Sequence, residues 1–358
     1  TVGPILGPTL GGYLTDYYNW RWVFYINLPV GIVAVLGILA FVPDSERRAA
    51  RRLHWLGLAF LSLGIAALQI MLDRGEQKGW FQSTEIQVEA ALALFGFYMF
   101  VAESVTTRRP FFDVRLFRDR TYILSVVLSA GVMVVLFGSM TLTPQLLQGE
   151  LNYPVFTAGL AMAPRGVGSI GSMWIVGRIS HRVDPRLTIA FGLVLTAASL
   201  YAMSRWSLDV PESEVMWLSM LQGFGIGFVT VPLIVVAFAN LMPDLRAEAS
   251  GFYNLVRNIG GSVGISITAA RLTQLTQIMH GNLGTFMTPY RAQPALGALS
   301  GKAAMDALNR SLTQQAAMVA YVNVFLLMAL LCLALVPLIA LLRFSHAAAA
   351  PQSAVAAE

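Results

Sequence analysis

The 358-residue chain is 56% hydrophobic and 12% charged, about half the charged share usual in soluble domains. Its apolar residues stand in long unbroken blocks, which excludes a soluble two-domain protein and makes lipid the expected solvent. One cysteine, Cys332, excludes an internal disulfide framework and multi-cysteine zinc sites. The net charge of +5 sits in short loops between the blocks rather than on one soluble face, which argues against a nucleic-acid surface.

In chain order the apolar blocks cover about 1–17, 22–42, 55–72, 86–105, 121–147, 156–177, 187–204, 215–241, 251–279 and 316–342. Most reach the roughly 20 residues that cross a hydrocarbon core of about 30 Å. A backbone in lipid must satisfy its own hydrogen bonds, so the expected fold class is all-α, a polytopic bundle of about ten helices. The connections alternate in basic content. One set holds Arg47, Arg48, Arg51 and Arg52, then Arg108, Arg109, Arg115, Arg118 and Arg120, then Arg178, Arg182 and Arg186, and finally Arg246 and Arg343. The opposite set holds half as many Lys and Arg, several of them in the long loop 281–315. Basic short loops stay on the cytoplasmic side, so the first block is expected to run outward and the tail 343–358 to return to the cytoplasm as a disordered segment. Thr1 stands inside an apolar stretch with no signal-peptide n-region or cleavage site, and the chain is expected to begin within a longer protein.

Several polar side chains fall inside the expected spans, where an arginine at mid-helix costs about 2.5–3.5 kcal/mol on insertion scales. Arg257 shares a helix face with Asn254 and Asn258, a polar stripe that lines a transport path or gate, or else forms interhelical hydrogen bonds. Arg165 sits between Pro164 and Gly166, where its guanidinium meets either substrate or the carbonyls that the proline frees. Arg271, nearer a span end, is expected to snorkel to headgroups. Gln145 and Gln148 beside Pro144 are expected to face the outer part of a central cavity. Phe137 with Met133, and Phe224 with Phe228, are i, i+4 pairs suited to an adaptable apolar wall or to plain core packing. Gly166, Gly168 and Gly171 spell GxGxxG, but no strand precedes them and no acid follows at about twenty residues. Phosphate-loop, HExxH and GxSxG patterns do not occur, so neither an enzyme nor a bound cofactor or metal is expected.

The first block reads GPILGPTLGG, with Gly3, Gly7 and Gly11 four residues apart, Pro8 after the second and Gly12 closing the run. Glycines at that spacing form a smooth face that lets a neighbouring backbone approach. The string resembles gxxxGPxxGG, the antiporter motif on the fifth helix of drug exporters in the major facilitator superfamily. Its continuation GGYLTDYYNWRWVFYINLPVG, and the later stretches FTAGLAMAPRGVGSIG, MLQGFGIGFVTVPL and ASGFYNLVRNIGGSVGISI, are similar to the fourteen-span drug/proton antiporters of the EmrB and QacA type. The resemblance implies that the ten blocks are helices five to fourteen of that fold. Residues 1–42 would then end an N-terminal six-helix half, 43–120 would form two extra linker helices, and 121–342 would form the C-terminal half. GRISHRVDPR resembles a degraded copy of a cytoplasmic gating motif. Gly177, Arg182 and Arg186 fall in place, His181 replaces the usual acid, and Asp184 replaces a glycine and could pair with Arg182 or Arg186 instead.

The resemblance further implies proton-coupled efflux of hydrophobic or amphipathic compounds by alternating access, from the bacterial inner membrane. The partners would be the lipid bilayer, drug-like substrates, protons, and a periplasmic adaptor with an outer-membrane channel. The proton-carrying acid would lie in the family's early helices. Asp16, Asp73 and Glu150 lie at span ends and are not assigned that role. Residue chemistry alone leaves open a specific metabolite exporter, a membrane-embedded enzyme or a structural anchor. The charge asymmetry makes a direct prediction in a Cys332→Ala background. Ala50→Cys and Arg118→Cys should react with an impermeant thiol reagent only from the cytoplasmic side, and Ala295→Cys only from outside. Labelling at position 50 from outside would reverse the topology.

Overall fold

The computed structural model describes residues 3–41, 54–107, 111–180, 182–285 and 301–342. The expectations for Arg47, Arg48, Arg51, Arg52, Arg108, Arg109, His181, Arg343, position 295 and the tail 343–358 therefore fall outside the described residues. Each apolar block is helical, and no strand occurs among the described residues. The first is α1, Gly3–Tyr17, which contains the full glycine run. The second is broken at Ile26 into α2, Trp22–Tyr25, and α3, Asn27–Phe41. Then follow α4, Trp55–Arg74, α5, Thr84–Thr106, and α6, Arg120–Gln145, which runs into a π-helical turn at Leu146–Glu150. The bundle is completed by α7, Val155–Ile179, α8, Pro185–Met203, α9, Glu212–Ala239, α10, Arg246–Thr285, and α11, Gly301–Ile339.

Seven helical segments among the described residues are long and apolar enough to cross a membrane, with Trp22–Phe41 taken together. The remaining long elements are α1, with 15 residues, glycine-rich α7, which carries Arg165, and α10, which carries the polar stripe. The first is too short to cross alone, and small and polar residues lower the hydropathy of α7 and α10, which pack on other helices and line space between them. By contrast α3 has no buried residue, and Leu39 and Phe41 are 76% and 86% exposed. In a lipid solvent that is an ordinary apolar face and needs no partner.

Close packing is set by glycine. In lipid, helices associate through van der Waals contact and hydrogen bonds rather than by removing apolar surface from water, so small residues sit where backbones meet. A methyl at Gly223 of α9 would collide with the Arg165 carbonyl of α7. One at Gly168 would collide with the Met220 carbonyl, and one at Gly227 with the Ser172 hydroxyl. The other side of α9 does the same to α8, where a Cβ at Gly192 would lie 2.6 Å from the Gly225 carbonyl oxygen. Gly260 and Gly264 of α10 abut Ala130 and Val134 of α6. In the α4–α5 hairpin a Cβ at Gly96 would lie 2.6 Å from the Gly64 nitrogen.

The antiporter-type glycines behave differently from the smooth packing face expected of them. Among the described residues nothing lies within 4 Å of a Cβ placed on Gly7 or Gly11, whereas one on Gly12 would be 2.9 Å from the Val155 carbonyl oxygen of α7. The backbone approach of α1 therefore falls on Gly12. It is fastened next to that contact by Asp16, whose Oδ2 accepts the Phe156 N–H at 2.7 Å and fills an open donor at the start of α7.

The helices alternate direction, so the connections gather at two ends. At one end Leu116, Tyr122, Leu241, Leu245, Ala249 and Tyr253 form a buried cluster. Tyr122 Oη donates to the Ala249 carbonyl at 2.7 Å, and the Asp113 N–H donates to Glu248 Oε2 at 3.0 Å. At the other end Gln314 Nε2 donates to the Glu150 carbonyl at 2.7 Å. The α4–α5 hairpin leans on α10, where the Ser266 hydroxyl donates to the Leu72 carbonyl at 2.9 Å. With 40 residues at 1.5 Å each, α10 measures about 60 Å, twice the hydrocarbon thickness. Its far part pairs with the start of α11 through His280 Nε2 and Asn309 Oδ1 at 3.2 Å.

The α7–α9 seam yields a stability prediction. Gly223→Ala should lower stability by about 1–3 kcal/mol through overpacking, read as a lower Tm of the purified protein. Gly177→Ala should leave Tm unchanged or slightly raised, because Gly177 is exposed, nothing lies within 4 Å of its Cβ position, and alanine is the better helix former.

Candidate functional site

A cavity of about 700 Å³ lies between α6, α7, α9 and α10, with Gly7 of α1 on its edge. That volume falls within the roughly 300–1,000 Å³ range of small-molecule sites. Three of the wall helices contribute stripes at spacings of three or four, the arc that one side of an α-helix presents. From α6 and the π turn after it come Met133, Leu136, Met140, Pro144 and Gln148; from α7 come Val155, Gly159, Met162, Arg165, Ser169 and Met173. Gly223, Ile226 and Thr230 of α9 and Arg257 of α10 close it. Four methionines give this wall polarizable, rotatable side chains that can follow differently shaped ligands.

Arg165 is the polar centre. Because the Gly223 contact holds α7 against α9, the Arg165 side chain reaches Gln222, one residue before that glycine. Its Nη2 donates to Gln222 Oε1 and, at 3.0 Å, to Ser139 Oγ of α6. Gln222 Nε2 donates to the same Ser139 oxygen at 3.1 Å, so three helices share one closed polar triangle. Gln222 is completely buried, as is Ser139. The guanidinium thus does not go to the carbonyls freed by Pro164. Its Nε and Nη1 are buried with no hydrogen-bond partner. Arg257 places Nη2 at 3.8 Å from Met133 Sδ and its guanidinium carbon 5.6 Å from the Tyr253 ring centroid, and its Nε is also buried and unpartnered.

Several residues expected at the path stand elsewhere. Asn254 and Asn258 are exposed and do not line the cavity; Asn254 Nδ2 donates to the Ser250 carbonyl one turn back. The expected stripe therefore divides, because Arg257 lies about 100° around the helix from Asn258 and only the arginine turns inward. Gln145 is exposed and does not line the cavity, while Gln148 does, because it continues the stripe of Leu136, Met140 and Pro144 at four-residue spacing and Gln145 stands one residue off it. Phe137 packs against Gly261 of α10 while Met133 lines the cavity. Phe228 is buried against Phe191 and Phe224, with ring centroids 5.2 and 5.1 Å away. These phenylalanines are interhelical packing, and the cavity's adaptable wall is methionine.

In the basic loop Asp184 caps α8, its Oδ1 accepting the Arg186 N–H at 2.9 Å. No side-chain ion pair with Arg182 or Arg186 occurs among the described residues. The expected replacement pairing is thus corrected: a short acid two residues before a donor, followed by Pro185 at the first helical position, is used as an N-cap. Arg182 and Gly177 are exposed. Sequence reading missed Gln222 and Ser139. The signal for Gln222 was a glutamine one residue before a glycine in an otherwise apolar span; nothing in the sequence pairs it with Ser139, 83 residues away.

An all-α bundle with several membrane-length helices around an apolar cavity that carries buried cations defines a polytopic membrane protein. Residues 1–265 match the Major Facilitator Superfamily, and the chain belongs to that family. It is 34% identical over 304 residues to the multidrug export protein EmrB of Escherichia coli K12, an alignment covering 84% of this chain and 59% of that protein. It is 29% identical over 346 residues to the fatty acid resistance protein FarB of Neisseria gonorrhoeae, covering 94% and 68%. It is 26% identical over 292 residues to the colistin resistance protein EmrB of Acinetobacter baumannii, covering 81% and 57%. The chain therefore spans about three fifths of the length of the EmrB relatives. These likenesses and the apolar helices place it as a multi-pass protein of the bacterial inner membrane.

The polar triangle predicts a graded response. Gln222→Leu, which removes the acceptor and strands part of a buried cation, should lower stability by about 3 kcal/mol. Ser139→Ala, which leaves the Gln222 acceptor in place, should cost about 1 kcal/mol. Thermal unfolding in one detergent checks the order.

Proposed function

We propose that this chain is the greater part of a proton-coupled efflux transporter, which carries hydrophobic and amphipathic compounds out of the cell by alternating access. The observation that carries this reading is the 700 Å³ methionine-walled cavity at the meeting of α6, α7, α9 and α10, with Arg165 and Arg257 on its wall. An anchor has no use for such a space, and no cluster suited to hydrolytic or redox chemistry adjoins it among the described residues. The names of the relatives, which speak of multidrug export and of resistance to fatty acids and to colistin, support export of chemically varied amphiphiles.

In this reading residues 1–42 belong to the N-terminal half, and α1 carries the antiporter motif Gly3, Gly7, Pro8, Gly11 and Gly12. Residues 43–120 bear the linker hairpin, and 121–342 form the C-terminal half. The two halves rock around the cavity, which opens alternately to either side. Gly12 against Val155 is the α1–α7 contact that such rocking repacks, while Gly7 keeps the cavity edge free of a side chain. The α7–α8 connection, with Gly177 at the end of α7, Arg182 and Asp184 between the helices and Arg186 at the start of α8, lies on the cytoplasmic side and takes part in gating. A periplasmic adaptor and outer-membrane channel complete the route to the medium.

The test is uptake into inverted membrane vesicles driven by a proton gradient, normalised to folded protein, for several amphiphiles. Arg257→Ala should cut uptake at least about fivefold and change the order of preferred compounds, because it removes a fixed charge from the cavity wall. Arg257→Lys should recover part of the rate, keeping the charge without the planar fork. Equal normalised rates for wild type and Arg257→Ala would remove that arginine from the site. Absence of gradient-driven uptake across the panel would reject export.

A further inference from the structure

Away from the cavity, one side-chain nitrogen is claimed by two partners. His54 stands just ahead of α4 and Glu103 lies in the last turn of α5, at the end of the hairpin that the charge asymmetry places in the cytoplasm. His54 Nδ1 accepts the Gly57 N–H at 3.4 Å, which caps α4, and the same nitrogen is 2.7 Å from Glu103 Oε1. An imidazole nitrogen that accepts has no proton to give, and a carboxylate oxygen is itself an acceptor, so the short contact exists only with a proton between the two. Without that proton, Nδ1 serves the cap alone and the carboxylate loses its partner.

The surroundings leave Glu103 little room to adjust. Its side chain is 13% exposed, and Oε2 is buried with no hydrogen-bond partner among the described residues, 2.6 Å from where a Cβ on Gly57 would stand. Oε1 also accepts from the Thr107 hydroxyl at 3.2 Å. Phe111 Cβ is 3.4 Å from the same Gly57 position, so the carboxylate and the start of the 111–119 segment share one wall. That segment is fastened to α10. The Phe111 and Phe112 rings are 4.9 Å apart, Phe112 and Phe117 each stand 5.2 Å from Phe252, and the Asp113 N–H donates to Glu248. Phe252 precedes Arg257 of the cavity wall by five residues on the same helix. Of the other charged groups at this end, Arg115 pairs with Asp113 and Asp244, Asp119 caps α6, and Arg51, Arg52, Arg108 and Arg109 fall outside the described residues.

We propose that His54 and Glu103 form a proton-operated clasp, through which cytoplasmic pH sets how tightly the hairpin and the 111–119 segment hold α10. Histidine changes charge between about pH 5 and 8. With the proton bound, the contact closes and α10 is held at the end that leads to Arg257. As pH rises the proton leaves, Nδ1 turns to the Gly57 N–H, and an uncompensated carboxylate in a closed site must move to water. That movement displaces Phe111 and loosens Phe112 from Phe252, so the clasp is shut in acid and open in base. The clasp stands without the efflux reading; its consequence, a brake on export when the cytoplasm turns acid, rests on that reading. His280 pairs with Asn309 at the opposite end and has no part in it.

The experiment is amide hydrogen exchange of the complete protein in lipid nanodiscs at about pH 6 and about pH 8.5, each rate divided by the intrinsic chemical rate at that pH. Two segments should move in opposite directions. From the lower to the higher pH the 111–119 segment should lose protection about tenfold, while the first turn of α4, with the Gly57 amide, should gain it. Glu103→Gln, whose neutral amide donates to Nδ1 without a titrating proton, should keep 111–119 protected at both pH values. His54→Asn, which retains a capping oxygen and takes up no proton, should leave 111–119 loose and the first turn protected at both. The wild-type comparison needs no variant and stands even if one of them fails to fold. Protection that shifts the same way in both segments, or a wild-type pH response in folded His54→Asn, overturns the proposal. For the brake, uptake into inverted vesicles at a fixed pH difference should rise about threefold to tenfold as the cytoplasmic side goes from the lower to the higher pH. A rise that persists in His54→Asn overturns the regulatory role. Opposed exchange without gradient-driven uptake would sustain the clasp and reject the efflux reading, and uptake without opposed exchange would do the reverse.

Discussion

The backbone contact between α7 and α9 is the constraint on which the rest of the structure hangs. Glycine at 168, 223 and 227 brings two helix axes closer than any side chain allows, in a solvent where no hydrophobic force presses them together. That closeness puts the start of Arg165 against the backbone at Gly223 and sets Gln222 within its reach. Once Gln222 and Ser139 hold the guanidinium, α6 is tied to the same point and three helices converge on one buried charge. The cavity is the space left on the side of this junction where α7 carries Gly159, Met162, Ser169 and Met173 around Arg165.

Pro144, Pro164 and Pro232 lie inside α6, α7 and α9, the three helices that build most of the cavity wall. Each removes a backbone donor, and in a membrane the freed carbonyl must be served by local adjustment. In α6 the proline is followed directly by the π turn Leu146–Glu150, within which Gln148 reaches the cavity wall. In α7 the proline precedes the arginine whose bonds go across to other helices, so the site and the irregularities occupy the same stretch of chain. Outside the bundle centre the packing follows the same glycine rule, as in the α4–α5 hairpin, which meets α10 through one hydroxyl bond at Leu72.

Much of the architecture is written in one dimension. Blocks of about 20 apolar residues force helices, because lipid offers no partner for an open backbone, and each of the ten expected segments is helical among the described residues, most with ends shifted by a few residues and the last beginning at Gly301 rather than near 316. The family was legible too, since GPILGPTLGG and three later stretches keep their spacing, and residues 1–265 match it. Arg165 and Arg257 stood out for the cost of a charge in lipid, and both line the cavity. A short-range pattern carries this information because solvent exclusion acts on each segment separately.

What the tertiary structure decided is which polar groups share a space. Asn254, Arg257 and Asn258 are neighbours along the helix, but only the packing of Gly260 and Gly264 of α10 on α6 decides that the arginine alone turns inward. Phe137 and Phe228 have cavity-like spacing and serve as packing, because the side chains beside them come from other helices far along the chain. Asp184 could have paired with an arginine and instead caps α8. The partnership of Arg165 with Gln222, 57 residues on, and with Ser139, 26 residues back, leaves no periodic trace in sequence. Segment identity follows from local burial energetics, whereas the pairing of distant polar atoms follows from helix crossing geometry, which exists only once the helices have met.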